Sequence, residues 1–203
     1  PLWEQNFPFE ENNMTLLGTS MPLIDEPRQR VLVGFADGWL RALSLKDGKV
    51  VWEKELGSGL FQDIDATPVI GGDQMYVVSA EGPLLAISLK KGAVVWQQAI
   101  GSTAALALSG DVLYVSGSDG ILYAMQSGNG QKIWEKKVGD GALTAPVIHN
   151  QVVAVGLSDK TVNFLKRDTG EILIRRFARK GVFSDLVLDD HGLLPGVAPG
   201  GHD

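Results

Sequence analysis

The sequence predicts an all-β protein, a β-propeller of four-stranded antiparallel blades. Three observations carry this: an internal repeat of about 40 residues, two turn markers held in register within it, and no segment with a sustained helical period. Three repeats end alike, in Gly48-Lys49-Val50-Val51-Trp52, Gly92-Ala93-Val94-Val95-Trp96 and Gly130-Gln131-Lys132-Ile133-Trp134. A fourth, Gly170-Glu171-Ile172-Leu173-Ile174, has isoleucine in place of tryptophan. The final positions are spaced by 44, 38 and 40 residues. Upstream of each ending stands a second marker: Ala36-Asp37-Gly38, Ala80-Glu81-Gly82, Ser118-Asp119-Gly120 and Ser158-Asp159-Lys160.

The third repeat shows the strands in order. An apolar segment, Ala104–Leu108, opens it, and its counterparts elsewhere are Thr67–Ile70 and Ala145–Ile148. Leu113–Ser116 is a short β-prone run, and the Ser-Asp-Gly after it supplies a tight turn. Ile121–Met125 is the next strand, Ser127-Gly128-Asn129-Gly130 turns the chain again, and Lys132–Glu135 is the outermost strand. Proline near the start of an innermost strand is tolerated, because a strand start need not donate to the ladder. A single four-stranded sheet cannot bury both faces alone, so the units must stack. The recurring tryptophans then read as packing residues, wedged against the neighbouring blade.

Composition narrows the function classes. The chain has 203 residues, 44% of them hydrophobic and 21% charged, with a formal net charge of −6. That balance argues against nucleic acid or an anionic membrane surface as the main partner, since both need clustered Lys and Arg. No apolar run approaches the roughly 18 residues that span a bilayer. With no cysteine, the stretch holds neither disulfides nor thiolate metal sites. The expected layout is one partial propeller over 1–203. Residues 1–9 form the outer strand of a preceding blade, 10–56, 57–100, 101–138 and 139–177 are four blades, and 178–203 is an incomplete one. Because the chain begins at Pro1 and stops where a repeat's turn would lie, it reads as a fragment of a larger propeller. A small ring closed by the N-terminal strand is the alternative.

The Gly-x-x-x-Trp endings, preceded by strands such as Leu122-Tyr123-Ala124-Met125, resemble the PQQ-like repeat of quinoprotein-type propellers. That repeat serves both quinone-dependent dehydrogenases and scaffolds without a cofactor, so it does not fix function. A narrower resemblance rests on Asp63-Ile64-Asp65-Ala66-Thr67-Pro68-Val69 together with Met14-Thr15-Leu16-Leu17-Gly18-Thr19-Ser20-Met21-Pro22. In order and spacing these look like the two partner-binding loops of the BamB family, propeller lipoproteins of the outer-membrane β-barrel assembly machinery. The resemblance implies an eight-bladed ring, no cofactor, and a place on the periplasmic face of the outer membrane, with a lipid anchor outside this chain. It also implies docking to the periplasmic domains of a BamA-like protein through Met14, Leu16, Leu17, Asp63 and Asp65, with unfolded outer-membrane proteins as further partners. Leu17 departs from the family, which has arginine there.

The residues themselves point to the same surface. In a four-stranded meander, the connection between blades emerges at the same end as the middle hairpin. The loops at 9–20 and 57–66 are such connections, flank one blade, and display apolar residues edged by carboxylates, a composition suited to a protein interface. The competing reading has the apolar side chains folding back onto the blades and the aspartates capping turns. A quinone-dependent dehydrogenase would need a Ca²⁺ site of clustered oxygens and a catalytic aspartate. His149, His191 and His202 show no ligand spacing, and Asp37, Asp119 and Asp159 recur with the repeat as turn formers. A non-catalytic scaffold is therefore expected, with a dehydrogenase fragment or a generic envelope propeller as alternatives.

Overall fold

Three of the four innermost strands begin directly after a proline, at Pro22, Pro68 and Pro146. The ring removes a ladder donor and biases the preceding residue toward extended backbone, so pairing starts at Val69 and Val147, two residues after the Thr67 and Ala145 at which the sequence opens these segments. The computed structural model describes residues 3–5, 7, 22–35, 39–55, 68–78, 83–102, 104–177, 187–189 and 192–194. The first sheet comprises β1 (Leu23–Asp25), β2 (Arg30–Gly34), β3 (Trp39–Ser44) and β4 (Val50–Glu55), and the second β5 (Val69–Gly71), β6 (Gln74–Val77), β7 (Leu84–Ser88) and β8 (Val94–Gln98). The third holds β9 (Ala107–Ser109), β10 (Val112–Ser116), β11 (Ile121–Gln126) and β12 (Lys132–Lys137). The fourth holds β13 (Val147–His149), β14 (Val152–Gly156), β15 (Thr161–Lys166) and β16 (Ile172–Phe177). Each is an antiparallel meander in chain order; β17 (Val187–Asp189) and β18 (Gly192–Leu194) form a further two-stranded sheet. A 3-10 turn, Glu26–Arg28, fills the first hairpin.

The chain divides into two compact units, Pro1–Thr103 with Gly128–Gly130, and Ala104–Ser127 with Gln131–Asp203. In the first, Leu32, Leu40 and Ala42 meet Met75, Val77, Leu85 and Ile87, all at most 5% exposed. In the second, Tyr114, Leu122, Ala124 and Trp134 meet Val153, Val155, Leu157 and Leu165. Both cores arise because side chains alternate across each strand, sending one set to the facing sheet. Each fully buried Leu, Ile or Val contributes about 1.5–3 kcal/mol.

One contact recurs at every repeat. The glycine of each outer hairpin, Gly48, Gly92, Gly130 or Gly170, has φ between +66° and +70° and lies under the indole of Trp3, Trp52, Trp96 or Trp134 respectively. A Cβ on Gly92 would stand 2.8 Å from the Trp52 ring, and one on Gly130 or Gly170 2.6 Å from the ring above it. The indole N–H completes the join: Trp3 Nε1 donates to the Leu45 carbonyl at 2.9 Å, Trp52 to Leu89 at 3.0 Å, and Trp134 to Arg167 at 2.8 Å. The amides of Leu45, Leu89 and Arg167 in turn donate to the inner-hairpin carbonyls of Gln29, Asp73 and Gln151.

The outer strands share two further features. The residue paired with the tryptophan on the next strand is Ala42, Ala86 or Ala124, each wholly buried, and a β-bulge follows immediately. In the fourth sheet both partners change together, to Phe164 opposite Ile174, and the bulge is kept. In the third and fourth sheets the tight turns use aspartate as the sequence suggests, while Asp37 lies outside the described residues. Asp119 Oδ1 accepts from the Ile121 amide at 3.1 Å, and Asp159 Oδ1 from the Thr161 amide at 3.0 Å. Lys160 adopts φ +74° where Gly120 has φ +76°, so the lysine of the fourth repeat carries a conformation that glycine adopts without strain.

Gly72 and Gly92 form an internal control, since both have positive φ but nothing lies within 4 Å of a Cβ on Gly72. Gly72→Ala should cost about 1–2 kcal/mol from the left-handed backbone alone. Gly92→Ala should cost roughly 1–3 kcal/mol more, from overpacking against Trp52. Urea unfolding reads both, and equal losses would show that the indole contact is not tight. Tyr123 supplies a second test. Its hydroxyl donates to Asp119 Oδ2 at 2.6 Å, and burial, reinforced by that carboxylate, pushes the phenol well above its ordinary value of 10.0. A raised pKa favours the protonated phenol in the fold. Its stabilisation is complete below the unfolded-state value and lost as pH rises through the folded one. Absorbance titration should find Tyr123 un-ionised past pH about 10 until the chain unfolds, and Tyr123→Phe should remove that late step.

Candidate functional site

Met14, Leu16, Leu17, Asp63 and Asp65 lie outside the described residues, but the chain on either side of both loops is described. The first loop follows Phe7 and runs into Leu23, which opens β1; the second follows Glu55, which closes β4, and runs into Pro68 and Val69. Strand register brings these four points to one end of the first unit. Leu23 pairs with Leu32 of β2, Gly34 with Leu40, and Trp39 with Glu55. Phe7 stacks edge-on against Phe35, the residue after β2, with ring centres 5.0 Å apart. Leu23 and Ile24 line a groove of about 440 Å³ together with Pro68, Val69 and Ile70. Both loops therefore leave and return at the same rim, as the meander geometry requires.

That rim is organised around a charge the sequence reading did not single out. Arg41, in the middle of β3, is 8% exposed. Its guanidinium lies 4.7 Å from the Phe7 ring centre, 4.6 Å from Phe35 and 5.4 Å from Trp39, and its Nε donates to Glu53 Oε2 at 3.2 Å. Each desolvated cation–π contact is worth about 2 kcal/mol, and the group also keeps a carboxylate partner. The matching positions in the other sheets are Leu85, Tyr123 and Asn163, paired with Gln97, Glu135 and Arg175. An arginine inside an otherwise apolar strand, Trp39-Leu40-Arg41-Ala42-Leu43, was the available signal. At the opposite end of the groove, Arg28 bridges the buried carboxylate of Asp25 at 3.1 Å and the exposed carboxylate of Asp73 in the next hairpin.

Several carboxylates elsewhere are engaged in structure. Asp119 holds its own turn and Tyr123, Asp159 bonds both the amide and the hydroxyl of Thr161, and Glu171 accepts from Lys166 at 2.6 Å. Among the described residues, no three of His, Asp and Glu gather closely enough to hold a metal ion. His149 is exposed at the end of β13, opposite Val152.

Comparison with known proteins gives a consistent picture. The sequence model of the family described as outer membrane protein assembly factor BamB matches residues 2–136 and, in an overlapping placement, 84–188. The overlap follows from the repeat. The outer membrane protein assembly factor BamB of Legionella pneumophila is 32% identical over 74 residues, which cover 33% of this chain and 19% of that protein. The crystal structure of BamB from Moraxella catarrhalis superposes with a TM-score of 0.77 at 28% identity, over 91% of this chain and 57% of that one. A quinohemoprotein alcohol dehydrogenase from Pseudomonas putida shares the fold alone, with a TM-score of 0.56 at 16% identity over 64% of this chain and 27% of that one. The chain thus spans just over half the length of the solved relative and a smaller share of the curated one.

Proposed function

Because the chain belongs to the family described as outer membrane protein assembly factor BamB, we propose that it is a non-catalytic scaffold that docks a partner at the rim of its first sheet. The partner is the periplasmic portion of a BamA-like outer-membrane protein, and the contact runs through Met14, Leu16 and Leu17 in one loop and Asp63 and Asp65 in the other. The observation that carries this reading is the convergence of both loop bases: Phe7 with Leu23, and Glu55 with Val69, at one end of the first unit. Loops of that kind, held on a packed frame and mixing apolar and acidic side chains, form a surface with an apolar centre and a charged edge. The same reading extends to the whole molecule. The described sheets are half of an eight-bladed ring, held at the periplasmic face of the outer membrane by a lipid anchor outside this chain. There it assists the insertion of unfolded β-barrel proteins.

Leu17 makes the apolar part of this contact larger than in relatives with arginine there, so Asp63 and Asp65 carry the charged part. Replacing both aspartates by lysine should weaken binding to purified BamA-like periplasmic domains by at least about tenfold, because reversing a rim charge pair sets like charges against each other. The melting temperature should stay unchanged. Isothermal titration and thermal unfolding measure the two quantities separately, and unchanged affinity would overturn the docking site.

A further inference from the structure

We propose that Arg41 is the positioning residue of the docking rim, a buried cation that ties the departure points of both loops to the central strand of the first sheet. The inference rests on the docking reading above and adds a residue that reading does not contain. Among the described residues, Arg41 reaches three separate stretches of chain. Phe7 lies two residues before the first loop begins, Phe35 follows β2 at the middle hairpin, and Glu53 is two residues from the end of β4, where the chain leaves for the second loop. Trp39, the fourth member, pairs directly with Glu55. Phe35 and Trp39 are already joined across the hairpin, and Glu53 pairs with Arg41 in the ladder, so what the guanidinium adds is the attachment of Phe7, the approach to the first loop, to the strand pair that leads to the second.

The equivalent sites in the other sheets show that the fold does not require this charge. The second sheet has Leu85 there, 5% exposed within the hydrophobic core, and the third has Tyr123. Arginine at this one position places a cost on burial that leucine would avoid, and the arginine is found where both loops take off. Its planar cation lies against two rings that themselves touch, Phe7 and Phe35, while its Nε keeps a directional bond to Glu53, a combination that lysine lacks.

The test uses the full chain and purified periplasmic domains of a BamA-like protein as the probe. Arg41→Leu copies the second sheet and should fold. It should bind the probe about tenfold more weakly, with most of the affinity unrecovered in Arg41→Lys. Phe7→Ala, outside every sheet, should give a similar loss. The double variant should bind no more weakly than either single one, because both changes break one clamp. Additive losses, or wild-type affinity in Arg41→Leu while the Asp63→Lys, Asp65→Lys variant has lost binding, would overturn the positioning role and leave the docking site standing. Full affinity in the aspartate variant would remove the docking site and this inference with it.

Discussion

An indole lying flat on a glycine is the contact on which the rest of this structure depends. A sheet of about 40 residues has two faces and too little core to stand alone, and stacking with its neighbours supplies what it lacks. The chain contains no cysteine to staple the repeats, so register between neighbours must come from packing. The Trp52–Gly92 and Trp134–Gly170 pairs supply it in the first and second units respectively. The glycine serves twice, because φ near +70° forms the hairpin and the missing Cβ leaves a floor for the ring. The indole N–H then satisfies the one hairpin carbonyl that faces it, so the polar atom of the tryptophan is buried with a partner.

Several outer-strand features follow from seating that ring. The tryptophan crosses the neighbouring strand, so its paired residue must be small, and alanine stands there in three sheets. The bulge beside it twists the outer strand and leaves Val51, Val95, Ile133 or Leu173 without a pairing partner, all of them exposed. Twisting also makes the outer edge a poorer template for an intruding strand. The fourth sheet shows the volume logic from the other side. With Ile174 in place of tryptophan, the space over the neighbouring strand is filled by Phe164 instead of alanine, so the pair keeps roughly its combined size.

Much of this was legible in the residues. Glycine and tryptophan at fixed spacing predicted the repeat, and the aspartates before the middle hairpins predicted its turns, because both depend on local backbone conformation that a few residues dictate. Inner strands were less legible: Ala104, Thr67 and Ala145 open largely apolar segments, yet pairing begins at Ala107, Val69 and Val147, since strand limits depend on partners elsewhere in the chain. Arg41 was not read as part of the site at all. Its neighbours Phe7 and Glu53 stand 34 and 12 positions away, so only the folded register discloses that they share one guanidinium. The loop residues rest on composition and family resemblance, neither of which requires tertiary contacts.

The two levels of organisation use different physics, and this explains how one repeat supports a specialised rim. Packing between neighbours is written in apolar side chains and glycines that recur, so it tolerates little change: Ala42, Ala86 and Ala124 are all fully buried. The position facing the opposite way on the same strand varies from Arg41 to Leu85, Tyr123 and Asn163, and each finds a different solution. Asn163 accepts from Arg175 at 2.8 Å, Tyr123 donates to Asp119, and Arg41 gathers rings. A buried polar group at such a site is stable only if all its partners are supplied, and those partners come from whatever chain lies nearby. In the first sheet, that nearby chain is the approach to the first loop and the strand that leads to the second. Sequence change at this variable position can therefore reshape the rim without disturbing the tryptophan–glycine joins beneath it.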